Sequence, residues 1–399
     1  MTFQTVVEAL QDFRRGKPVI VVDDPGRENE GDVVIAAEKA TPATINFMAK
    51  EARGLICVPM LGEQLDRLQI NPMVERGEPR EAAFTISVDA KKDVTTGISA
   101  QDRARTVRAL ADPRTRPEDL RRPGHIFPLR YKEGGVLVRS GHTEAAVDMA
   151  RLAGLTPAAV ICEIMNDDGS MSRLPSLLKF ARRHGLKIVT IESLIAHRRR
   201  HEKLVRRLVS ANLPTRFGLF QIHLYEDVPT GEHHAALVRG EVAGAKNVLV
   251  RVHSSCFTGD VLHSLRCDCG EQLEKAFEKI NDEGIGVVLY MHQEGRGIGL
   301  MNKLHAYALQ ETGLDTVQAN RKLGFAPDLR EYGIGAQILA DLGLTSVRLL
   351  TNNPKKIVGI EGHGLRVTQR VPLQVPANRH NRRYLATKRT KMGHQLEGV

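Results

Sequence analysis

Apolar residues at 3, 6, 7, 10 and 13 recur with helical spacing, with acids on the other face, and predict an amphipathic N-terminal helix packed on a core. Short apolar runs bounded by turn residues follow at 18–23, 55–58, 84–88, 159–162 and 187–191, and these read as strands. Helices are expected to open at Thr41-Pro42, Ser99 and Thr143, where a capping residue precedes a 3.6-residue pattern. A second series begins past residue 200, with strands at 248–252, 287–290 and 347–350 and helical stretches at 271–283 and 335–342. Strands and helices alternate in both series. The expected fold class is α/β of the α+β type, with two mixed strand-and-helix domains.

The basic run at 197–208 and the turn residues of 211–218 mark the divide. They predict domains at 1–200 and 201–399 joined by a basic helical linker. A length of 399 residues suits two domains of roughly 100–200 residues each. No apolar run approaches the roughly 20 residues that span a bilayer, and the N-terminal pattern is that of a packed helix and not a signal peptide. The net charge of +10 fits phosphorylated substrates, anionic lipid or nucleic acid, but much of the excess lies in two runs, 197–208 and 379–391, of the kind that solvated helix faces produce. Aromatic content of 4%, with no tryptophan, leaves few stacking platforms for single-stranded nucleic acid. Helix-turn-helix, zinc-finger and RNP patterns are missing from the sequence, as are GxGxxG and GxxxxGK[ST]. Small-molecule substrates are expected, with neither nucleic acid nor membrane as partner.

Three of the five cysteines, Cys256, Cys267 and Cys269, fall within fourteen residues, and no fourth thiol completes a structural set. Structural zinc is usually closed by four protein ligands, whereas catalytic zinc keeps a position open and lowers the pKa of a bound water to about 7. The spacing favours the open site over two buried thiols and a coincidence. Thiols that bind metal must stay reduced, which points to the cytoplasm.

In the first half, the segment from Asp23 to Asp32 carries five carboxylates and one arginine directly after a strand, a donor set for Mg²⁺ or Mn²⁺. Farther on, Val138-Arg-Ser-Gly-His-Thr143 opens a helix, where free N–H groups and the helix dipole suit a phosphate. His142 at that turn is a candidate metal ligand. The motifs Arg27-Glu-Asn-Glu-Gly-Asp32, Val94-Thr-Thr-Gly-Ile-Ser-Ala100, Arg122-Pro-Gly-His-Ile-Phe-Pro128, Gly141-His-Thr-Glu144 and Glu163-Ile-Met-Asn-Asp-Asp-Gly169 resemble those of 3,4-dihydroxy-2-butanone 4-phosphate synthase over about the first 200 residues. The resemblance implies conversion of ribulose 5-phosphate to 3,4-dihydroxy-2-butanone 4-phosphate and formate. It implies Mg²⁺ or Mn²⁺ on Glu28 and His142, substrate contacts at Arg27, Glu28, Asp32, Arg139, Ser140, Gly141, His142, Thr143 and Glu163, and catalytic side chains at His125 and Glu163. It also implies a homodimer, with His125 crossing between subunits. The family usually has Glu-Asp where Pro25-Gly26 stands, and Tyr-Gly-Thr or His-Gly-Thr at Arg80-Glu-Ala82. Loss of two carboxylates from that loop predicts a weaker first activity.

Around the thiols stand Arg251-Val-His-Ser-Ser255, Gly270-Glu-Gln272, His292-Gln-Glu-Gly-Arg-Gly-Ile-Gly-Leu300, Asp315-Thr316, Leu323-Gly-Phe-Ala-Pro-Asp-Leu-Arg330 and Leu350-Thr-Asn-Asn-Pro-Lys-Lys356. Together they resemble GTP cyclohydrolase II over roughly 205–395. The resemblance implies hydrolysis of GTP to 2,5-diamino-6-(5-phosphoribosylamino)pyrimidin-4(3H)-one, formate and diphosphate, with Zn²⁺ on the three thiols and Mg²⁺ accompanying the nucleotide. It implies GTP contacts at Arg251, Val252, His253, Ser254, Ser255, Gln272, Glu294, Gly295, Arg296, Thr316, Thr351 and Lys356. Asp328 would be the proton acceptor, Arg330 the nucleophile toward the α-phosphorus or a clamp on its charge, and Tyr307 an accessory group. Ser255, Phe257 and Gln318 replace the family's usual Glu, Leu and Glu. A bifunctional enzyme of riboflavin biosynthesis is the reading. The alternatives are a chain with only its cyclohydrolase half fully active, and a basic zinc-containing regulator that binds nucleic acid or GTP.

Overall fold

The computed structural model describes residues 3–74, 82–325, 332–361 and 365–398. The chain divides into two compact units, Met1–His201 and Glu202–Val399.

The first unit is built on eight strands: β1 (Val19–Val22), β2 (Gly31–Ala36), β3 (Cys57–Met60), β4 (Ala83–Phe84), β5 (Val88–Ala90), β6 (Leu120–Arg130), β7 (Ala159–Glu163) and β8 (Lys187–Thr190). They form one mixed sheet in the order β4-β6-β3-β7-β2-β1-β8, with β5 on β6. Side chains alternate across a strand, and both faces are covered here. Ile20, Val22, Val33 and Ile35 pack with Ile45, Met48, Val107 and Leu177 on one side. Val19, Val21, Val34 and Ala36 pack with Ala9, Phe13, Ala146, Met149 and Leu194 on the other. Double coverage is why β1 and β7 read as unbroken apolar runs.

Several local expectations shift. The first helix, Val6–Arg14, buries Val6, Ala9 and Phe13, while Phe3 and Val7 of the expected stripe are exposed. Helices Pro42–Phe47 and Ala100–Ala111 take Thr41 and Ser99 as N-caps, each accepting a backbone N–H three residues on. The third helix, His142–Leu152, starts one residue before Thr143, with Gly141 at the cap. The run 84–88 is broken into β4 and β5, both pairing with β6.

The second unit holds β9 (Val205–Thr215), β10 (Gly218–Asp227), β11 (His233–Arg239), β12 (Val248–Ser254), β13 (Gly286–Met291), β14 (Ser346–Leu350) and β15 (Arg366–Val371). The sheet order is β15-β14-β12-β13-β11-β10-β9. Strands β12 to β15 are mutually parallel where they pair, and β9, β10 and β11 extend the sheet antiparallel. Parallel strands place their carboxyl ends on one edge, where open α/β sheets bind ligands. The basic run at 197–208 is not one linking helix. Its first part ends the helix Ile191–His201 of the first unit, and its last part is the start of β9.

Two candidate active sites

In the first unit the loop between β1 and β2 is organised by Asp23. Its carboxylate accepts from Arg27 Nη1 at 3.0 Å, Glu28 N at 3.0 Å and Glu30 N at 2.8 Å. Asp23, Glu28 and His142 form one cluster whose candidate ligand atoms lie within 4.8 Å of each other. Asp23 is saturated by loop donors, so Glu28 and His142 are the better candidates for a cation. Arg27 also reaches Glu28 at 2.8 Å. Hydrogen bonding from His142, with Arg27 alongside, holds the Glu28 carboxyl down at about 2.

Asp32 lies on the buried floor, with its Oδ1 4.0 Å from His142 Nε2. Neither of those two atoms has a hydrogen-bond partner among the described residues. Burial pushes Asp32 up to about 7, helped by the nearby Glu163 and Glu28 charges. Burial alone would depress His142, but the Asp32 and Glu28 carboxylates outweigh it and hold the imidazole up at about 9. Two orphaned buried polar atoms beside a low carboxyl are a donor set that a divalent cation fits.

Glu163 ends β7 directly opposite Asp32 in the β2–β7 pairing, so both side chains project from one face of the sheet. Its Oε2 accepts from Leu55 N at 2.8 Å. Gly54 allows that approach, since a Cβ there would lie 2.4 Å from the Glu163 carbonyl and 2.5 Å from Oε2. Arg139 is held by Glu144 at 2.6 Å, and Ser140, Gly141 and Thr143 frame the start of the helix that bears His142.

His125 does not join this cluster. It lies on β6, and three strand spacings of about 4.8 Å separate β6 from β2, roughly 14 Å across the sheet. Its Nδ1 pairs with Asp89 at 2.7 Å, its backbone N–H donates to the same carboxylate at 2.9 Å, and its side chain stays 41% exposed. Sequence reasoning missed Asp89 because it lies 36 positions away.

In the second unit a cavity opens at the carboxyl ends of β12, β13 and β14. Arg251, His253, Ser254, Ser255, the three thiols, Gln272, Glu294, Gly295, Arg296, Thr316, Thr351 and Lys356 all line it, and so does Tyr307. Val252 is buried in β12 and does not line it. Its carbonyl instead accepts from Lys356 Nζ at 2.8 Å. Asp328 and Arg330 lie outside the described residues, as do Arg80 and Glu81.

The Cys256 and Cys267 sulfurs are 3.7 Å apart, and all three thiols fall within 4.8 Å. Two glycines permit this closeness. A Cβ on Gly259 would lie 2.8 Å from Cys267 Sγ, and one on Gly270 would lie 2.3 Å from the Gly259 carbonyl. Hydrogen bonds from the other two thiols, with the Lys303 ammonium 3.1 Å away, pull Cys256 well below the ordinary thiol range. Hydrogen bonding to Cys256 pushes Cys267 up to about 11, and Cys269 is raised as well. Three thiolates need more positive charge than one lysine supplies, and zinc fits that donor set.

Lys303, which the motifs did not single out, also binds Glu294 at 2.7 Å, and Glu294 accepts from Phe257 N at 2.6 Å. Asp260 is the other organiser. It accepts from Cys256 N at 2.9 Å and from Tyr290 OH at 2.9 Å, and meets His253 Nε2 at 3.0 Å. The Gln293–Gly299 loop turns through left-handed backbone at Gly295, Arg296 and Gly297. Arg296 pays the local strain of that region, which clusters at functional sites. Ser255 Oγ accepts from Gln293 N at 3.2 Å, a contact that ties the thiol segment to the loop. Tyr307 meets Thr258 Oγ1 at 3.2 Å and is pushed up to about 12 by burial.

Fold and sites define a two-part enzyme, with an oxygen-and-imidazole cluster in one unit and a thiol cluster in the other. The family model of 3,4-dihydroxy-2-butanone 4-phosphate synthase matches residues 7–197, and that of GTP cyclohydrolase II matches 206–372. The chain is 59% identical over 398 residues to the riboflavin biosynthesis protein RibBA of Endomicrobium trichonymphae, covering 100% of this chain and 99% of that protein. It is 57% identical over 398 residues to the protein of the same name from Aquifex aeolicus, covering 99% and 98%. Among solved structures it resembles RibBX, a two-domain 3,4-dihydroxy-2-butanone 4-phosphate synthase from A. baumannii, with a TM-score of 0.72 at 37% identity over 92% of this chain and 99% of that one. The chain belongs to the RibBA family of riboflavin biosynthesis proteins. It is a bifunctional enzyme, a synthase of the lyase class and a GTP cyclohydrolase II of the hydrolase class. Among the described residues no helix is long and apolar enough to cross a membrane.

Proposed function

We propose that the unit Met1–His201 carries the synthase reaction on ribulose 5-phosphate and Glu202–Val399 carries GTP hydrolysis. The observation behind this division is that the thiol cluster opens into the same cavity as Arg251, Arg296 and Lys356, three cations suited to a triphosphate.

In the first unit Glu28 and His142 would hold Mg²⁺ or Mn²⁺, which when bound supplies Lewis acidity toward a ketose carbonyl. The backbone N–H groups of His142 and Thr143, at the start of an eleven-residue helix, suit the substrate phosphate. Asp32 and Glu163 face each other across the strand pair as the carboxylates that would exchange protons with the substrate. Arg27 orients Glu28. His125, fixed by Asp89 but remote from the cluster across the sheet, completes the site of the second subunit in a homodimer.

In the second unit Cys256, Cys267 and Cys269 would hold zinc, which when bound supplies Lewis acidity at the guanine ring. Arg251, Arg296 and Lys356 neutralise the triphosphate and its accompanying Mg²⁺. Thr316, Thr351 and Gln272 offer hydrogen bonds to the nucleotide, while Glu294 holds Lys303 against Cys256. Asp328 serves as proton acceptor, and Arg330 acts on the α-phosphate. Thiols that bind metal must stay reduced, which supports a cytoplasmic location.

The test is assay of the full chain with each substrate alone. Cys267→Ser is expected to abolish formate release from GTP and leave ribulose 5-phosphate turnover intact, with Glu28→Ala giving the opposite pattern. Loss of both activities in either folded variant would sink the two-site division.

A further inference from the structure

The basic run at 379–391 is only in part a solvated helix face. Residues Arg382–Met392 form a helix that buries Leu385, Thr387, Lys388 and Met392. This helix lies past residue 372, where the match to the GTP cyclohydrolase II model ends. Yet Tyr384 and Lys388, one turn apart on one face, line the same cavity as the thiols.

Lys388 Nζ donates to Asp268 Oδ1 at 2.7 Å, with the two side chains only 10% and 3% exposed. Asp268 stands between the ligand candidates Cys267 and Cys269. Its second oxygen, Oδ2, accepts from Gln272 Nε2. Gln272 Oε1 then accepts from Arg251 Nη2 at 2.7 Å, and Arg251 Nη1 donates to the Leu350 carbonyl at 3.0 Å. An ionised carboxylate only accepts, so Asp268 dictates which way the Gln272 amide faces. That in turn leaves the amide oxygen pointing at Arg251. The chain of contacts runs from the C-terminal helix to a cation in the nucleotide cavity and, through the backbone of Asp268, to two thiols.

We propose that Lys388 is a positioning residue of the cyclohydrolase site. Acting through Asp268 and Gln272 it sets Arg251 and the Cys267–Cys269 segment, and the helix that carries it is a wall of the nucleotide cavity. This rests on the assignment of GTP hydrolysis to that cavity. Lys388 touches no reacting atom in this scheme. Without the Lys388 ammonium, Asp268 loses the donor that fixes the direction of its carboxylate, and with it the geometry of its bond to Gln272. Partners of this outer kind are commonly worth about 10–100-fold in metal affinity or activity.

The experiment uses the zinc-loaded full chain with Lys388→Met, Lys388→Arg, Asp268→Asn and the Lys388→Met/Asp268→Asn pair. Three quantities are read: the split of kcat and KM for GTP, calorimetric binding of a non-hydrolysable GTP analogue, and zinc retention against a chelator. Lys388→Met and Asp268→Asn are each expected to weaken analogue binding and zinc retention by roughly 10–100-fold in one or both. The double variant is expected to be no worse than the poorer single one, because the two residues act as one unit. Lys388→Arg should recover most of the loss. Ribulose 5-phosphate turnover, to which neither residue contributes, should be unchanged and reports a folded chain.

Wild-type analogue binding and zinc retention in Asp268→Asn would overturn the proposal, as would additive losses in the double variant. Should Lys388→Met prove insoluble, Asp268→Asn and Lys388→Arg still decide the matter. Full GTP hydrolysis by Cys267→Ser is a different failure, and it would remove the parent assignment instead.

Discussion

Replacing Arg198 with methionine removes a buried cation while keeping most of the side-chain bulk. Arg198 Nη1 donates to Asp148 Oδ2 at 2.7 Å and to the Gly134 carbonyl at 2.9 Å. The Asp148 carboxylate also accepts from Tyr131 OH and from Val136 N, each at 2.9 Å. The two charged side chains are 8% and 1% exposed, so solvent cannot take the place of the lost partner. Breaking such a pair from one side costs about 3–5 kcal/mol. Asp148 sits on the helix His142–Leu152, whose first turn presents His142 and Thr143 to the proposed synthase site. A loss near 4 kcal/mol is about three decades in an opening equilibrium. Hydrogen exchange of the full chain should therefore show amides of that helix exchanging about a thousandfold faster. Burial already pushes the Asp148 carboxyl up, against the pull of Arg198. Without Arg198 it rises further above its unfolded value, so folding takes up protons and the deficit should shrink as pH falls from 7 to 5. The double variant Arg198→Met/Asp148→Asn should recover most of the loss. Exchange within tenfold of the parent, or a deficit that grows on acidification, would refute the reasoning.

His234 is a second pH probe: burial, with His292 and His233 nearby, holds it down at about 4 from an ordinary 6.5, while its Nδ1 accepts from His292 N at 3.1 Å. The unfolded chain then binds the extra proton first, so stability present above pH 6.5 is lost on acidification, by about 2 kcal/mol between pH 7 and 5. Urea unfolding at the two pH values measures this, and His234→Asn, which keeps an acceptor, should flatten the difference. Gly259→Ala would set a methyl 2.8 Å from Cys267 Sγ, so the purified variant should carry much less zinc by elemental analysis; full occupancy would show that the loop can shift. Pro25→Glu with Gly26→Asp restores two carboxylates to the exposed turn where Gly26 N now donates to Asp24 Oδ1, and should raise kcat for ribulose 5-phosphate with KM little changed. An unchanged or lower kcat would mean that the loop's present charge is neutral or compensated.

The strands readable in the sequence were those whose surroundings leave only one composition possible. Strands β1 and β7 lie between two layers of helix, and that double burial writes itself as an apolar run. Strand β9 is at the sheet edge with seven consecutive exposed residues, so no alternation marks it, and Arg206 and Arg207 make it look like more of the preceding helix. The sites divide in the same way. The three thiols and the Asp23–Asp32 loop are legible because their members are close in sequence. Asp89, Lys303 and Lys388 are not, because each meets its partner across the fold: Asp89 with His125, Lys303 with Cys256 and Glu294, Lys388 with Asp268. A basic run shows its charge and hides its pairing. Within 382–392 the buried Leu385, Lys388 and Met392 share one stripe while Arg389 and Lys391 face solvent. That spacing is a faint helical signal, but nothing in it says that one lysine of the run meets a carboxylate 120 positions earlier. Burying a cation demands an anion from somewhere in the fold. Arg198, Lys303 and Lys388 each satisfy that demand beside a proposed site, so part of the chain's positive charge is structural wiring for its chemistry and was never available to an outside polyanion.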